Sequence, residues 1–264
     1  MNVEKHRFLH KKPAARIRIS MGKTFLACIT AVCTVFIAAV GLCLRALFAP
    51  IAASGFQDSG MRIVLDAGHG GVDGGVVGKK TGVKESDLNL EIVYILKDAL
   101  TDMGFDVVLT RKTDAGLYDT ATQGFKKRDM QRRKEIIDEC DPTLVISIHQ
   151  NFYSAQKYRG GQVFYRAGHA QGEWLGKSIQ DGLNALYERE NAKPRSAMCG
   201  DYFMLNCTDA PSVIVECGFL SNADDEKLLC DRGWKGELAH AIAAGVTAYF
   251  AKESTPSFSL CEKE

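Results

Sequence analysis

Two histidines and a glutamate stand where short apolar segments of this chain end. His69 lies just beyond one such segment, His149 directly follows a second, and Glu216 directly follows a third. Because the loops at the carboxyl ends of the strands in an α/β sheet converge on one crevice, we expect these side chains to lie close together. Two imidazoles and a carboxylate at one edge of a sheet predict a catalytic metal site.

A catalytic zinc ion takes three protein ligands and keeps a position for water. His69 and His149 are two predicted ligands, and Glu85, at the start of the first predicted helix, is the third. Each residue also has a structural interpretation. Glu85 could serve the helix dipole, His69 could belong to a glycine-rich turn, and His149 could be a buried histidine with satisfied hydrogen bonds.

Glu216 ends an apolar strand, where an unpaired carboxylate is costly to bury. A buried salt bridge is one interpretation of this position. The functional interpretation is a general base and acid beside the metal. Zinc lowers the pKa of water towards about 7 and polarises a carbonyl group. A nearby carboxylate then accepts the water's proton and transfers it to the leaving amine.

Other chemistries have little support in the sequence. His169 and His240 are predicted to be structural or surface residues. Ser147 is not part of a GxSxG elbow, and the chain has neither a phosphate-binding loop nor a dinucleotide fingerprint. The cysteines form no CxxC pair, so a structural zinc knuckle is not expected, and most of the six beyond residue 45 are predicted to be free and buried.

Strands and helices are predicted to alternate from residue 62 to residue 250. The predicted strands are residues 62–66, 105–110, 143–148, 162–166, 202–205 and 213–217. The predicted helices are residues 86–103, 125–140, 171–187, 222–229 and 234–250. This alternation predicts an α/β fold, a three-layer sandwich in which helices cover both faces of a mostly parallel, twisted sheet of about six strands.

The first part of the chain has a different composition from the rest. Residues 1–23 hold seven Lys or Arg against one acid and are predicted to be a basic cytoplasmic tail. Residues 24–44 carry no charge and are long enough to span a bilayer as a signal anchor. We expect a linker at 45–60, a catalytic domain with the metal site at 61–252, and a loose tail at 253–264.

Basic residues before an apolar segment predict that the N-terminus stays in the cytoplasm and the catalytic domain lies outside the membrane. The alternative is a cleaved signal peptide, because Ala52, Ala53 and Ser54 offer small residues for cleavage near residue 53. Without residues 1–23 and Arg45, the chain carries a net charge of about −6. An acidic domain without a basic stripe argues against binding to nucleic acid.

Four motifs carry a resemblance to a known family. The chain resembles the zinc-dependent N-acetylmuramoyl-L-alanine amidases of the amidase-3 class, and the similarity runs from about residue 62 to residue 250. The matching motifs are residues 65–71, 109–111, 147–151 and 216–222. Within this class it is similar to the germination-specific, CwlD-type spore cortex amidases, through residues 128–137 and 158–165.

The resemblance implies one zinc ion bound by His69, Glu85 and His149, with Glu216 as the catalytic glutamate. The implied substrate is peptidoglycan, at the amide between the lactyl group of muramic acid and the L-alanine of the stem peptide. In spore cortex, removal of this peptide precedes formation of muramic-δ-lactam.

Two departures from the family pattern are visible. Ser86 follows Glu85 where relatives often have lysine, and Gln150 precedes the asparagine after the second histidine where they often have alanine or methionine. Neither departure removes a ligand. The segment 151–162 is too short for the inhibitory helix of division-type relatives.

Several alternatives remain open from the sequence. A zinc peptidase that cuts within the stem peptide would use the same residues on another bond. A non-catalytic wall-binding protein, or a membrane-anchored structural protein, would need no turnover. An activating protein partner is also compatible with an intact site.

Overall fold

The computed structural model describes residues 60–253. The predicted basic tail, membrane segment, linker and C-terminal tail lie outside these residues, apart from Gly60 and Glu253. Their boundaries therefore stay predictions. Between residues 60 and 253, no helix combines the length and apolar character that a membrane span requires.

A single six-stranded sheet forms the centre of the described domain. Its strands are β1 (Arg62–Ala67), β2 (Asp106–Leu109), β3 (Leu144–Asn151), β4 (Gln162–Arg166), β5 (Met198–Gly200) and β6 (Ser212–Phe219). The strand order is β2-β1-β3-β6-β4-β5. The first four strands in this order are mutually parallel, β4 runs antiparallel to β6, and β5 is parallel to β4. The predicted mostly parallel sheet is confirmed.

Helices cover both faces of this sheet, as predicted. They are α1 (Glu85–Asp102), α2 (Phe125–Cys140), α3 (Ala170–Glu188), α4 (Phe203–Asn206), α5 (Ala223–Cys230) and α6 (Arg232–Glu253). Alternate residues of a strand point to opposite faces. Ile63 and Leu65 accordingly join the larger core cluster, which α1, α3 and α6 complete, whereas Val64 joins a smaller cluster with residues of α2 and α4.

The parallel pairing brings the predicted site to one edge. Leu65 of β1 pairs with Ile146 of β3, and His149 of β3 pairs with Glu216 of β6. The carboxyl ends of β1, β3 and β6 therefore lie side by side. The ladder between β3 and β6 is irregular after His149, where Asn151 pairs with Phe219.

One predicted strand was wrong. Residues 203–205 belong to the one-turn helix α4, which follows Tyr202 and is closed by a hydrogen bond from the amide of Leu205 to the carbonyl of Tyr202 (3.1 Å). Met204 and Leu205 are consecutive and both pack into the smaller core cluster. Consecutive strand residues would point to opposite faces, so only a helical turn lets both be buried there. The edge strand lies earlier, at Met198–Gly200.

Candidate metal centre

The loop after β1 presents His69 in a conformation that few non-glycine residues adopt. The backbone φ of His69 is 61°, in the left-handed region. A tight turn fixes this loop, because Gly70 and Asp73 exchange two backbone hydrogen bonds of 2.8 and 3.2 Å. The amide of Gly68 also bonds to the carbonyl of Ile148 in β3 (3.1 Å). The loop is therefore fastened to the strand that carries the second histidine.

Three of the predicted residues lie together. Nε2 of His69 is 3.2 Å from Oε1 of Glu85, and Nδ1 of His149 is 2.9 Å from the same oxygen. The two imidazole rings are 5.0 Å apart between centroids. One potential ligand atom from each of the three residues lies within 4.8 Å of the other two. This spacing brings three potential donors for one ion together.

Glu85 begins α1 and is 3% exposed, which is unusual for a carboxylate at a helix start. Its Oε1 accepts a hydrogen bond from the amide of Gln150 (3.1 Å), and its Oε2 accepts one from the amide of Val76 (2.9 Å). Burial alone would raise the pKa of Glu85. Hydrogen bonds with His149 and His69 outweigh burial and hold this pKa well below its usual range. The group is thus an oriented carboxylate anion.

Two glycines leave the space in which these side chains meet. A Cβ atom on Gly68 would lie 2.3 Å from the ring of His149. A Cβ on Gly75, whose φ is +67°, would lie 2.4 Å from Oε2 of Glu85 and 2.8 Å from the ring of His69. Because real Cβ atoms do not approach other atoms so closely, any side chain at either position would displace a candidate ligand.

Glu216 lies beside His149 on the neighbouring strand. Its Oε2 is buried and has no hydrogen-bond partner among residues 60–253. Burial raises the pKa of Glu216 to about 7, and the negative charge of Glu85 acts in the same direction. No salt bridge accounts for this carboxyl group within the described part of the chain. Its environment matches that of a group which exchanges a proton near neutral pH.

Asp73 is a neighbour of the site that the sequence analysis did not single out. Its Oδ2 lies 3.2 Å from Nδ1 of His69, the ring nitrogen on the far side from Glu85, and 3.3 Å from Nζ of Lys126. A carboxylate that accepts the second N–H of a ligating histidine fixes its tautomer and its orientation. In the sequence, only its position four residues after His69 could have indicated that Asp73 contacts this histidine.

Two arginines hold the backbone that carries the ligands. Arg133 of α2 donates hydrogen bonds to the carbonyls of Ala67 (2.8 Å) and His69 (2.7 Å). Arg111 donates to Ala67 (2.8 Å), to Gly68 (3.1 Å) and to Ser86 (2.8 Å), at the start of α1. The end of β1 and the start of α1, which carry His69 and Glu85, are thereby fixed relative to each other.

Asp66 compensates the charge of Arg133. It is 1% exposed, forms an ion pair with Arg133, and accepts hydrogen bonds from Ser147 (2.6 Å) and Thr110 (2.7 Å). Burial alone would raise the pKa of Asp66, but the charge of Arg133 and these two hydrogen bonds outweigh it and hold the pKa at about 2. Asp66 is therefore a charged structural residue beneath the site.

Open space flanks the centre on two sides. A cavity of about 270 Å³ borders His69 and His149 and is lined by side chains of α2 and α4, among them Lys126 and Phe203. A second groove of about 350 Å³ lies near the end of β6, at Phe219. An extended substrate that crosses the centre would find room on both sides.

The remaining histidines and cysteines lie away from the centre. His169 accepts a hydrogen bond from the amide of Gly172 (2.9 Å) at the start of α3, and His240 contacts the carbonyl of Gly236 within α6 (2.7 Å). Both histidines are structural, as predicted. The described cysteines are free, as predicted. The prediction that most are buried was wrong, because only Cys207 and Cys217 are buried, whereas Cys140 is partly buried and Cys199 and Cys230 are exposed.

Comparison with known families identifies the domain. Residues 63–248 match the family model for N-acetylmuramoyl-L-alanine amidase. The chain belongs to this amidase family. Like other N-acetylmuramoyl-L-alanine amidases, it is a hydrolase of peptidoglycan that acts on the amide between muramic acid and L-alanine. Family membership therefore favours the amidase over the peptidase and the wall-binding alternatives.

Individual amidases support the assignment. The germination-specific N-acetylmuramoyl-L-alanine amidase of Bacillus subtilis is 37% identical over 201 residues, which cover 75% of this chain and 83% of that protein. AmiA of Escherichia coli is 26% identical over 71% of this chain and 75% of its own length. The CwlD amidase of Clostridioides difficile, solved in complex with the GerS lipoprotein, superposes with a TM-score of 0.69 at 34% identity, covering 73% of this chain and 99% of that structure.

Proposed function

We propose that this amidase is zinc-dependent and that His69, Glu85 and His149 hold the ion. Two imidazoles and one carboxylate are a donor set typical of catalytic zinc. Their donor atoms lie within 4.8 Å of one another, and Gly68 and Gly75 keep the space around them free of side chains. The carboxylate of Glu85 is already an anion, so it needs no deprotonation before it binds a cation.

The observation that carries the proposed mechanism is the position of Glu216. This residue is the cross-strand neighbour of His149, and its Oε2 is buried without a hydrogen-bond partner among residues 60–253. When bound, zinc would polarise the scissile carbonyl and lower the pKa of the attacking water. Glu216 accepts the proton of the attacking water and then transfers it to the nitrogen of L-alanine as the amide breaks.

The other residues of the site hold the reacting groups in place. Asp73 accepts a hydrogen bond from Nδ1–H of His69, and Nε2 of the same ring faces Glu85. Arg133 and Arg111 fix the loop and helix that carry these ligands. Such preorganisation lowers the cost of bringing charged groups together at the moment of reaction.

Three variants test the roles of the carboxylates in the purified full chain. Glu216→Gln is expected to bind zinc like the wild type and to lose turnover by at least about 100-fold. Glu85→Gln is expected to lose zinc and turnover together, and Glu139→Gln, on the exposed surface of α2, is expected to change neither. Turnover would be followed by mass spectrometry of peptidoglycan digests, with a free L-alanine N-terminus as the product. Full activity in Glu216→Gln would refute the proposed role.

We further propose that the enzyme acts on spore cortex, as the germination-specific relative is named for germination. The identity of 37% over most of both chains supports this assignment. Expression in a Bacillus subtilis strain that lacks its germination-specific amidase is expected to restore muramic-δ-lactam to the cortex, whereas the Glu216→Gln variant is not. Wild-type protein that is produced in the spore without forming this lactam would contradict the cortex role.

The membrane anchor is a separate proposal, based on the uncharged residues 24–44 and the basic residues before them. We expect the chain to fractionate with membranes and its catalytic domain to be digested by protease added outside the cytoplasmic membrane. A shortened protein that begins near residue 54 and is free of membranes would instead support a cleaved signal peptide.

We also propose that an activating protein partner acts on the enzyme. Rapid turnover by the purified chain alone would show that no such partner is needed.

A further inference from the structure

Arg195 lines the groove near the end of β6, together with Phe219 and Tyr158, and its side chain is fixed there. Its Nε donates to the carbonyl of Arg159 (3.0 Å), and its guanidinium carbon is 4.9 Å from the centre of the Phe219 ring. The side-chain amide of Asn184 holds the backbone of Arg195, because its Oδ1 accepts from the amide of Arg195 (2.9 Å) and its Nδ2 donates to the carbonyl of Arg195 (2.8 Å). The guanidinium is thus positioned before any ligand arrives.

Arg195 has no acid partner of its own among residues 60–253, because Asp225, whose charge acts on it, is paired with Arg159. None of the salt bridges formed among residues 60–253 involves it. The nearby acids are taken by Arg159, which lies 3.0 Å from Asp225 and 3.4 Å from Asp224. Burial lowers the pKa of Arg195, as expected for a partly enclosed cation. A fixed, half-buried cation without a counter-ion favours binding of an anion from outside.

The groove adjoins the strands that carry His149 and Glu216, because Asn151 and Phe219 line it. Gln162, whose Oε1 lies 3.5 Å from Nη1 of Arg195, pairs with Glu216 across β4 and β6. Asn151 of β3 pairs with Phe219 and lines the same groove. Tyr158 stacks near Phe219, with ring centres 6.2 Å apart, and gives the groove an apolar wall. A chain leaving Glu216 in this direction would pass over this wall, on which Arg195 packs.

The charge of Arg195 selects the group of the substrate that it would bind. Gln162 contacts Arg195 and pairs with Glu216, so one side chain separates Arg195 from the strand that carries Glu216. On the peptide side of the scissile amide, L-alanine has no charged side group, so the first one belongs to the second residue of the stem. That residue carries a free carboxylate, or a carboxamide where the wall is amidated. In the cavity beside His69 and His149, Lys126 lies 3.3 Å from Asp73 and Arg133 is paired with Asp66, so both of these cations already have partners.

We infer that Arg195 is a specificity-determining residue, which binds the carboxylate of the residue that follows L-alanine in the stem peptide. The stem peptide occupies the groove of Tyr158 and Phe219, and the sugar side of the substrate occupies the cavity beside Lys126. This inference rests on the proposed amidase mechanism. It predicts a preference for peptidoglycan in which this carboxylate is not amidated.

The test compares two defined muropeptides that differ only in a free carboxylate or a carboxamide at the second stem residue. The zinc-loaded full chain is expected to favour the carboxylate form by about tenfold or more in kcat/KM, mainly through KM. Arg195→Met is expected to lower activity on the carboxylate form to the level of the amide form and to leave the amide form unchanged. Arg195→Lys is expected to be intermediate, and Lys193→Met, at an exposed neighbouring position, is expected to match the wild type.

Equal use of both substrates by the wild type would overturn the inference, as would an equal loss on both in Arg195→Met. Calorimetric binding of the free product peptide separates this result from failure of the amidase mechanism. If binding requires both Arg195 and the carboxylate, the proposed subsite is supported even where no hydrolysis is seen. If both substrates are hydrolysed equally and Arg195→Met does not weaken product binding, the amidase mechanism is supported and the subsite is refuted.

Discussion

Arg133 and Asp66 form an ion pair directly behind the loop of His69, although they are 67 residues apart in the chain. Their side chains are 2% and 1% exposed. The same guanidinium donates to Asp129 and to the carbonyls of Ala67 and His69. A buried charge held by this many acceptors links the surface helix α2 to the end of β1.

Arg133→Met should therefore cost about 3–5 kcal/mol of unfolding free energy, because it leaves Asp66 as an uncompensated buried charge. Denaturant unfolding of the two proteins would measure the difference. Arg132→Met is the matched control, since Arg132 lies on the same helix with a side chain 48% exposed. We expect it to change stability by less than about 0.5 kcal/mol. Similar costs for both variants would show that the buried pair contributes little.

Asp66 should give the protein a defined acid sensitivity. Its pKa is about 2 when folded, below the value of about 3.9 for a free aspartate. A lowered pKa stabilises the folded state above the unfolded pKa, and this contribution is lost as pH falls through the folded pKa. The free-energy advantage of the wild type over Asp66→Asn should shrink by about 2 kcal/mol from about pH 5 to about pH 2. A pH-independent difference would contradict the prediction.

Gly68→Ala should weaken zinc binding, because the new methyl group would lie 2.3 Å from the ring of His149. We expect a loss of affinity of at least about 100-fold, as for displacement of a ligand, measured by competition with a chromophoric chelator. Gly236→Ala is the control, since a Cβ there meets no atom within 4 Å. Unchanged affinity in Gly68→Ala would mean that His149 is not a ligand or that it moves freely.

Asp73→Asn should lower zinc affinity about 10- to 100-fold while leaving the fold intact, because the amide cannot act as an anion towards Nδ1 of His69. The same chelator competition measures the effect, and circular dichroism checks the fold. Asp98→Asn, at a side chain 76% exposed, serves as the control. If Asp73→Asn binds zinc with wild-type affinity, Asp73 only stabilises the turn after β1 and does not support His69 as a ligand.

The placement of His69, His149 and Glu216 was predictable because it depends on one rule of topology. Each follows an apolar strand, and parallel strands bring their carboxyl ends to one edge. Glu85 could be predicted as a ligand because a helix that follows the first strand must begin near that edge of the sheet. The ligand set therefore needed only strand positions and residue types, not side-chain packing.

The supporting residues could not be predicted in the same way. The highly charged helix α2 looks like a solvent-exposed surface helix, yet its buried residues are Asp129, Arg133 and Ile137. Their spacing of four marks one helix face, and Ile137 alone shows that this face points inwards. Whether Arg133 is buried depends on Asp66, which lies far away in sequence. Arg195 was missed for the same reason, since its neighbours Phe219 and Gln162 come from other strands.

The order of strands in the sheet has a consequence for when the enzyme becomes able to cut its substrate. β6 lies between β3 and β4 in space but follows β4 and β5 in the chain. A chain that is still being synthesised therefore cannot join the two parts of its sheet until β6 has been made. Glu216 lies on this last strand, so the hydrolytic centre is completed only after nearly the whole domain has been made. A chain that is truncated before β6 is consequently expected to lack both Glu216 and the strand that joins the two parts of the sheet.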